Sequence, residues 1–358
     1  MAAVLPLPPL SPARLVWVTL ALSLATFMQV LDTTIANVAI PTISGHFGAS
    51  TSQGTWVITS FGVANAIAVP ITGWLADRIG SRRLFIWSTI GFIITSMLCG
   101  ISVNLTEMVV FRILQGMCAA FIAPLSQSIL LDINRPEDAP KAMAMWGMGV
   151  MVAPIFGPMI GGWLTESYNW RWVFYINLPI GIPTVAILLW LLPSRPINRR
   201  YFDGLGFAAL AIGVATLQLM LDRGQHEDWF ESWEIRIEAI IAISALWIFF
   251  VHQATTRKPM FDPELVTDRN FATSLLFMVM IGVMMFGVFA LLPPMLQTLF
   301  GYTVFDTGML LAPRGIGILI AMQIATRLAG KVDARITVGV GFVITILSLW
   351  QMTDRKST

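Results

Sequence analysis

Leu31-Asp32-Thr33-Thr34-Ile35-Ala36-Asn37-Val38-Ala39-Ile40-Pro41 closes the first of many apolar segments in a chain of 358 residues. That segment begins at Leu15, and about 20 apolar residues, each rising roughly 1.5 Å along a helix, suffice to cross a bilayer. A carboxylate inside such a span costs a few kcal/mol or more, so it is rarely accidental. Thr33, Thr34 and Asn37 add hydrogen-bonding groups to the same stretch. Pro41, which has no backbone N–H, is expected to end the helix. Asp32 is therefore the first candidate for the working group of a membrane protein.

Composition points the same way. The chain is 56% apolar and 12% charged, with mean hydropathy +0.75, whereas a soluble domain is about 25% charged. A net charge of +2 with scattered basic residues argues against a nucleic-acid partner. Cys99 and Cys118 lie in apolar runs without CxxC spacing and read as buried small residues. Arg14 is the single early charge, and the apolar run behind it is too long for a signal peptide, so it reads as an uncleaved span.

Apolar runs bounded by charges or turn residues fall near 15–40, 54–75, 84–103, 107–131, 141–164, 171–192, 204–221, 236–253, 271–297, 306–328 and 335–351. The expectation is an all-α polytopic membrane protein of eleven helices, with connections too short for a soluble catalytic domain. Of the 22 Lys and Arg residues, about two thirds lie in one set of alternate termini and loops, among them Arg14, Arg78, Arg82, Arg83, Arg135, Lys141, Arg257 and Lys258. Basic residues mark the cytoplasmic side, which places the N-terminus in the cytoplasm and, with eleven spans, the C-terminal tail outside. Gly73-Trp74-Leu75-Ala76-Asp77-Arg78 after the second run has a degenerate copy in Gly330-Lys331-Val332-Asp333-Ala334-Arg335 after the tenth. Parallel halves with an inserted helix pair explain the repeat. The expected organisation is a cytoplasmic N-terminus (1–14), a six-helix bundle (15–192), a linker carrying the inserted pair (193–257) and an incomplete C-terminal bundle (258–358).

Two intramembrane charges carry the chemistry. Arg112 lies about seven residues into the fourth run and Asp32 nine residues before Pro41, at roughly 10 and 13 Å depth, so the first and fourth helices can present opposite charges at one level. A nearby guanidinium favours an ionised carboxylate and desolvation favours the neutral acid; a site balanced between the two takes and releases protons as water access changes sides. The competing reading is a static pair locking two helices. Gly73 to Phe85 (GWLADRIGSRRLF) forms a tight cytoplasmic turn. Gly73 and Gly80 permit close approach or unusual backbone angles, Asp77 can face a helix N-terminus, and Arg78, Arg82 and Arg83 sit near anionic headgroups. Topology alone explains the arginines but not the acid between two glycines, and a gating latch is the favoured reading. In the fifth run Gly157 and Gly161 have the spacing that lets helices touch backbone to backbone, with Pro154, Pro158 and Gly162 beside them. Asn37, Gln115 and Arg314 are candidate cavity-lining residues. The Gly330-Lys331 stretch lacks the rest of a phosphate loop, and His46, His226 and His252 have no metal-ligand spacing.

With these residues in view, the chain resembles the major facilitator superfamily, specifically the fourteen-span drug:proton antiporters of the EmrB/QacA type. The resemblance rests on LDTTIANVAIP (31–41), GWLADRIGSRRL (73–84), FRILQGMCAA (111–120), APIFGPMIGGWL (153–164), WRWVFYINLPIG (170–181) and APRGIG (312–317). It implies proton-driven efflux of hydrophobic, often cationic compounds across a bacterial cytoplasmic (inner) membrane, with no cofactor beyond the proton gradient. Asp32 and Arg112 would carry proton coupling, Asp77 and Arg78 the cytoplasmic latch, and Gly157, Pro158, Gly161 and Gly162 the antiporter interface. It also implies a periplasmic adaptor and an outer-membrane channel as partners. Members of that family continue for three more helices, so the resemblance implies about 11 of 14 spans and a C-terminally truncated chain, one that is inactive in isolation or is supplied as a fragment of a longer protein. The alternatives are an importer or a specific metabolite exporter on the same fold. An intramembrane enzyme would need a paired nucleophile and base, which the sequence does not offer.

Overall fold

The computed structural model describes residues 10–194, 197, 201–225, 227–261, 267–302, 304–328 and 332–353. Among these there are helices and turns but no strand, as a bilayer requires of a chain that must satisfy its own backbone groups span by span. In chain order the spanning helices are α1 (Pro12–Phe47), α2 (Trp56–Ile79), α3 (Ser81–Ile101), α4 (Leu105–Ile133), α5 (Ala139–Ser167), α6 (Trp172–Leu191), α7 (Gly204–Arg223) and α8 (Trp233–Thr255). These eight are long and apolar enough to cross a membrane. Three further helices follow where apolar runs predict them: α9 (Arg269–Thr298), α10 (Val304–Leu328) and α11 (Ala334–Thr353). Their described apolar stretches are shorter, Arg269–Met284, Met309–Ala325 and Arg335–Gln351. The fold is all-α and polytopic, as the apolar periodicity requires.

α1 is the centre of the first six helices. It packs along α5 and α6 and touches α2 and α4, and the apolar core around it divides into two clusters. One gathers Leu22, Met28, Phe85, Phe92, Ile122 and Leu130; the other gathers Leu31, Ile35, Ile43, Val57, Met108 and Phe174. The pair α7–α8 packs on itself and against α2, while α10 packs against α5. Large apolar side chains face outward, among them Trp87, Trp190 and Trp247, which in a membrane-spanning bundle is the lipid-facing surface.

Pro41 does not end α1. The helix continues six residues to Phe47 and stops at Gly48, whose φ of 63° supplies the left-handed turn, with Ala49 N–H reaching the Ser44 carbonyl at 2.9 Å. The missing proline N–H costs one intrahelical bond. The turn beyond it still buries Ile43 and Ser44 completely or nearly so, and Ser44 Oγ donates to the Ile40 carbonyl at 2.8 Å. Burial of that turn outweighs the lost bond. Asp32 consequently stands 15 residues from the helix end, or about 22 Å along the axis, further in than Pro41 alone implies. Local breaks fall instead at the Val69–Ile71 turn of α2, at Ala120 and Phe121 in α4, and at Ile176 in α6.

Candidate functional site

Asp32 and Arg112 meet. Arg112 Nη1 donates to Asp32 Oδ2 at 2.6 Å, and both side chains have no exposed surface. Gln115, three residues on and therefore on the same face of α4, donates from Nε2 to Asp32 Oδ1 at 2.9 Å and accepts from Arg112 Nη1 at 2.8 Å. Arg112 Nε donates to the Val57 carbonyl of α2 at 2.9 Å, and its guanidinium lies over the Phe61 ring at 4.3 Å. From α6, Asn177 Nδ2 donates to Asp32 Oδ1 at 2.8 Å and to Ser96 Oγ of α3 at 2.8 Å. Ser96 Oγ donates to the Phe174 carbonyl at 2.9 Å. One buried polar network thus ties α1, α2, α3, α4 and α6 together.

α5 joins by shape. A Cβ at Gly157 would stand 2.2 Å from Thr34 Oγ1 and 2.8 Å from Thr34 Cβ, and one at Gly161 would stand 3.0 Å from Ile35 Cγ2 and 3.3 Å from Ile35 Cα. The two glycines let α5 lie directly on the turn of α1 that carries Asp32. Pro158 and Gly162 are half-buried beside them. α5 runs as one helix through Pro154 and Pro158.

The other sequence candidates separate. Gln115 lies inside the network and does not line an open cavity; it is completely buried. Asn37 is exposed, five residues past Asp32 and so about 140° around the helix from it. The Thr33 and Thr34 hydroxyls turn back to the Gln29 and Val30 carbonyls of their own helix at 2.8 and 3.0 Å. The side chain of Arg314 lies outside the described residues, as do His226 and Gly330 and Lys331 of the second repeat. In the loop between α2 and α3, Gly80 has φ 92° and ψ 132° and needs to be glycine. Gly73 does not, since nothing lies within 4 Å of where its Cβ would stand. Asp77 sits in the last turn of α2, and Arg78 stacks over Trp74 at 5.0 Å. Arg82 donates to the Leu189 carbonyl at 2.6 Å and Arg14 to the Leu191 carbonyl at 2.9 Å. These two arginines hold the C-terminal end of α6, a role beyond topology. Arg83 is exposed.

Three features escaped the sequence reading. Asn177 and Ser96 are neutral, and single polar residues in apolar runs are common; only their meeting point with Asp32 marks them. His252, which has no metal spacing, pairs with Asp203 at 2.9 Å, while Asp203 Oδ1 also caps the first turn of α7 through Gly206 N–H. No cluster of three metal-ligating side chains exists among the described residues.

A helical bundle with eight apolar spans and a buried ion pair at its centre belongs to the class of polytopic membrane proteins. The chain belongs to the Major Facilitator Superfamily, whose sequence pattern matches residues 22–353. It is 48% identical over 338 residues to the multidrug export protein EmrB of Escherichia coli, covering 94% of this chain and 66% of that protein. It is 46% identical over 345 residues to EmrB of Haemophilus influenzae (96% and 68%), and 46% identical over 354 residues to the fatty acid resistance protein FarB of Neisseria gonorrhoeae (97% and 69%). The chain thus spans about two thirds of the length of these curated relatives. The peptide transporter POT in complex with sulfate shares the fold at TM-score 0.59 and 15% identity, covering 88% of this chain and 69% of that one. The proton:xylose symporter XylE does so at TM-score 0.55 and 15% identity, covering 88% and 69%.

Proposed function

We propose that this chain belongs to the transport unit of a proton-coupled exporter of hydrophobic, often cationic compounds, set in a bacterial cytoplasmic membrane with its N-terminus in the cytoplasm. The observation that carries the reading is the completely buried Asp32–Arg112 pair. A buried ion pair is a poor device for stability, since an apolar replacement of similar volume is often as stable. Its placement where five helices meet supports a working role there. Asp32 takes and yields the proton; Arg112, held by Gln115, the Val57 carbonyl and Phe61, stays in place as its countercharge leaves. Gly157 and Gly161 pass the event to α5, which packs against α10. Asp77 and Arg78 serve as the cytoplasmic latch. The relatives named for multidrug export and for fatty acid resistance support export as the direction of transport, and a periplasmic adaptor that receives substrate fits a Gram-negative setting. The distribution of basic residues supports the orientation.

The test is efflux in inverted membrane vesicles carrying the protein, with a lipophilic fluorescent cation and an imposed proton gradient. Asp32→Asn is expected to abolish gradient-driven transport while substrate binding persists. Undiminished gradient-driven transport by Asp32→Asn removes the acid from the mechanism, and gradient-driven accumulation in the opposite direction replaces export with import.

A further inference from the structure

The carboxamide of Asn177 is completely buried and is used on one side only. Its Nδ2 serves both Asp32 Oδ1 and Ser96 Oγ at 2.8 Å, while its Oδ1 has no hydrogen-bond partner. A buried amide oxygen left unpaired is costly and calls for a cause. The cause is Asp32. An ionised carboxylate only accepts, so the amide must turn its N–H toward it and leave its oxygen idle. A neutral carboxyl has an O–H to give, and the opposite amide orientation supplies its acceptor, at the cost of moving the unpaired position from the amide oxygen to the amide N–H groups.

We propose that Asn177 is a positioning residue that reads the protonation of Asp32 by rotating its amide half a turn and passes the result to α3 and α6. The proposal rests on the proton-coupling reading above. A proton from water bonds to Asp32 Oδ1, the oxygen that faces Asn177. That oxygen still accepts from Gln115 Nε2, and Oδ2 keeps the charge-assisted bond from Arg112 Nη1. The only other covalent change is that the water is left as hydroxide, or as water where the donor is hydronium. Asn177 Oδ1 then accepts from the new carboxyl O–H and from Ser96 Oγ–H. Ser96 thereby releases the Phe174 carbonyl, which it holds in the ionised state. That carbonyl belongs to the short turn Trp172–Tyr175 just before the break of α6 at Ile176, so the tie between α3 and the broken part of α6 exists only while Asp32 is ionised. Arg112 from α4 is the charged group facing the site; Cys99 from α3 is the other titratable neighbour, its Sγ 3.6 Å from Gln115 Oε1. α2 contributes the Val57 carbonyl and the Phe61 ring, and α5 contributes Gly157 and Gly161.

The experiment is infrared difference spectroscopy of the protein in lipid, neutral against acidic pH. A carboxyl band that appears on acidification in the wild type and is missing in Asp32→Asn reports the proton. In Asn177→Leu that band is expected at higher frequency, because its O–H has lost its acceptor, and Asn177→Gln is expected to return it toward the wild-type position. A second measurement needs no variant at residue 177. With carbon-13 labelled asparagine, a side-chain amide band is expected to move to lower frequency on acidification, as an oxygen without partners gains two, and to stay fixed in Asp32→Asn. A carboxyl band unmoved in Asn177→Leu, or a labelled amide band that does not respond to acid, overturns the relay and leaves proton coupling at Asp32 standing. Absence of the Asp32 band in the wild type overturns both.

Discussion

Removing one member of the Asp32–Arg112 pair is expected to cost at least as much stability as removing both. In Arg112→Met the carboxylate keeps Gln115 and Asn177 as donors at 2.9 and 2.8 Å but loses its countercharge in a site with no exposed surface. In Asp32→Asn the guanidinium keeps Gln115 Oε1 at 2.8 Å, the Val57 carbonyl at 2.9 Å and the Phe61 face at 4.3 Å, again with no countercharge. Each single change is expected to cost about 3–5 kcal/mol. The double variant buries no charge and fills the same volume with an amide and a thioether, so it is expected to be no less stable than either single. The coupling energy is then at least about 3 kcal/mol, inside the range of about 1.5–7 kcal/mol measured for close charge pairs. Unfolding in mixed micelles by increasing detergent denaturant, followed by circular dichroism, gives all three values at neutral pH. Costs that add to within about 0.5 kcal/mol would mean that the two residues do not interact, and the geometry of the site would be wrong.

Other consequences follow from the same geometry. Gly157→Ala drives a methyl into Thr34 and is expected to cost about 1–3 kcal/mol, measured by the same unfolding assay, whereas Gly73→Ala meets open space and is expected to stay within about 0.5 kcal/mol of the wild type. Gly80→Ala places a side chain at φ 92° and is expected to cost about 1–3 kcal/mol, read as a lower melting temperature. Asp203→Ala removes the cap of α7 and its contact to His252 and is expected to cost about 0.5–2 kcal/mol, seen as faster amide exchange in the first turn of α7.

How much of this could be read from residues alone divides by physics. Spanning helices announce themselves, because a bilayer demands length and apolarity together and the chain has few charges to interrupt them. Asp32 and Arg112 stand out for the same reason, each being a charge where charge is costly. Gly157 and Gly161 are legible as a contact surface, and the structure adds that their partner is Thr34 and Ile35. Asn177 was invisible because an amide in an apolar run has many innocent explanations, and its partner lies 145 positions away. Asp203 and His252 are 49 positions apart and could not be joined without the packing of α7 on α8. Pro41 misled because the missing N–H is a local property, whereas the continuation to Phe47 is decided by what the last turn buries.

Counting protons gives the most direct test. Purified protein in weakly buffered detergent solution, brought to an acidic pH at which the Asp32 carboxyl band is present and mixed with a transported lipophilic cation and a pH indicator, is expected to release a proton. Asp32→Asn is expected to bind the same compound and release none. An equal proton release from Asp32→Asn would show that the exchanging group lies elsewhere, and the buried pair at the centre of this bundle would be only a strut.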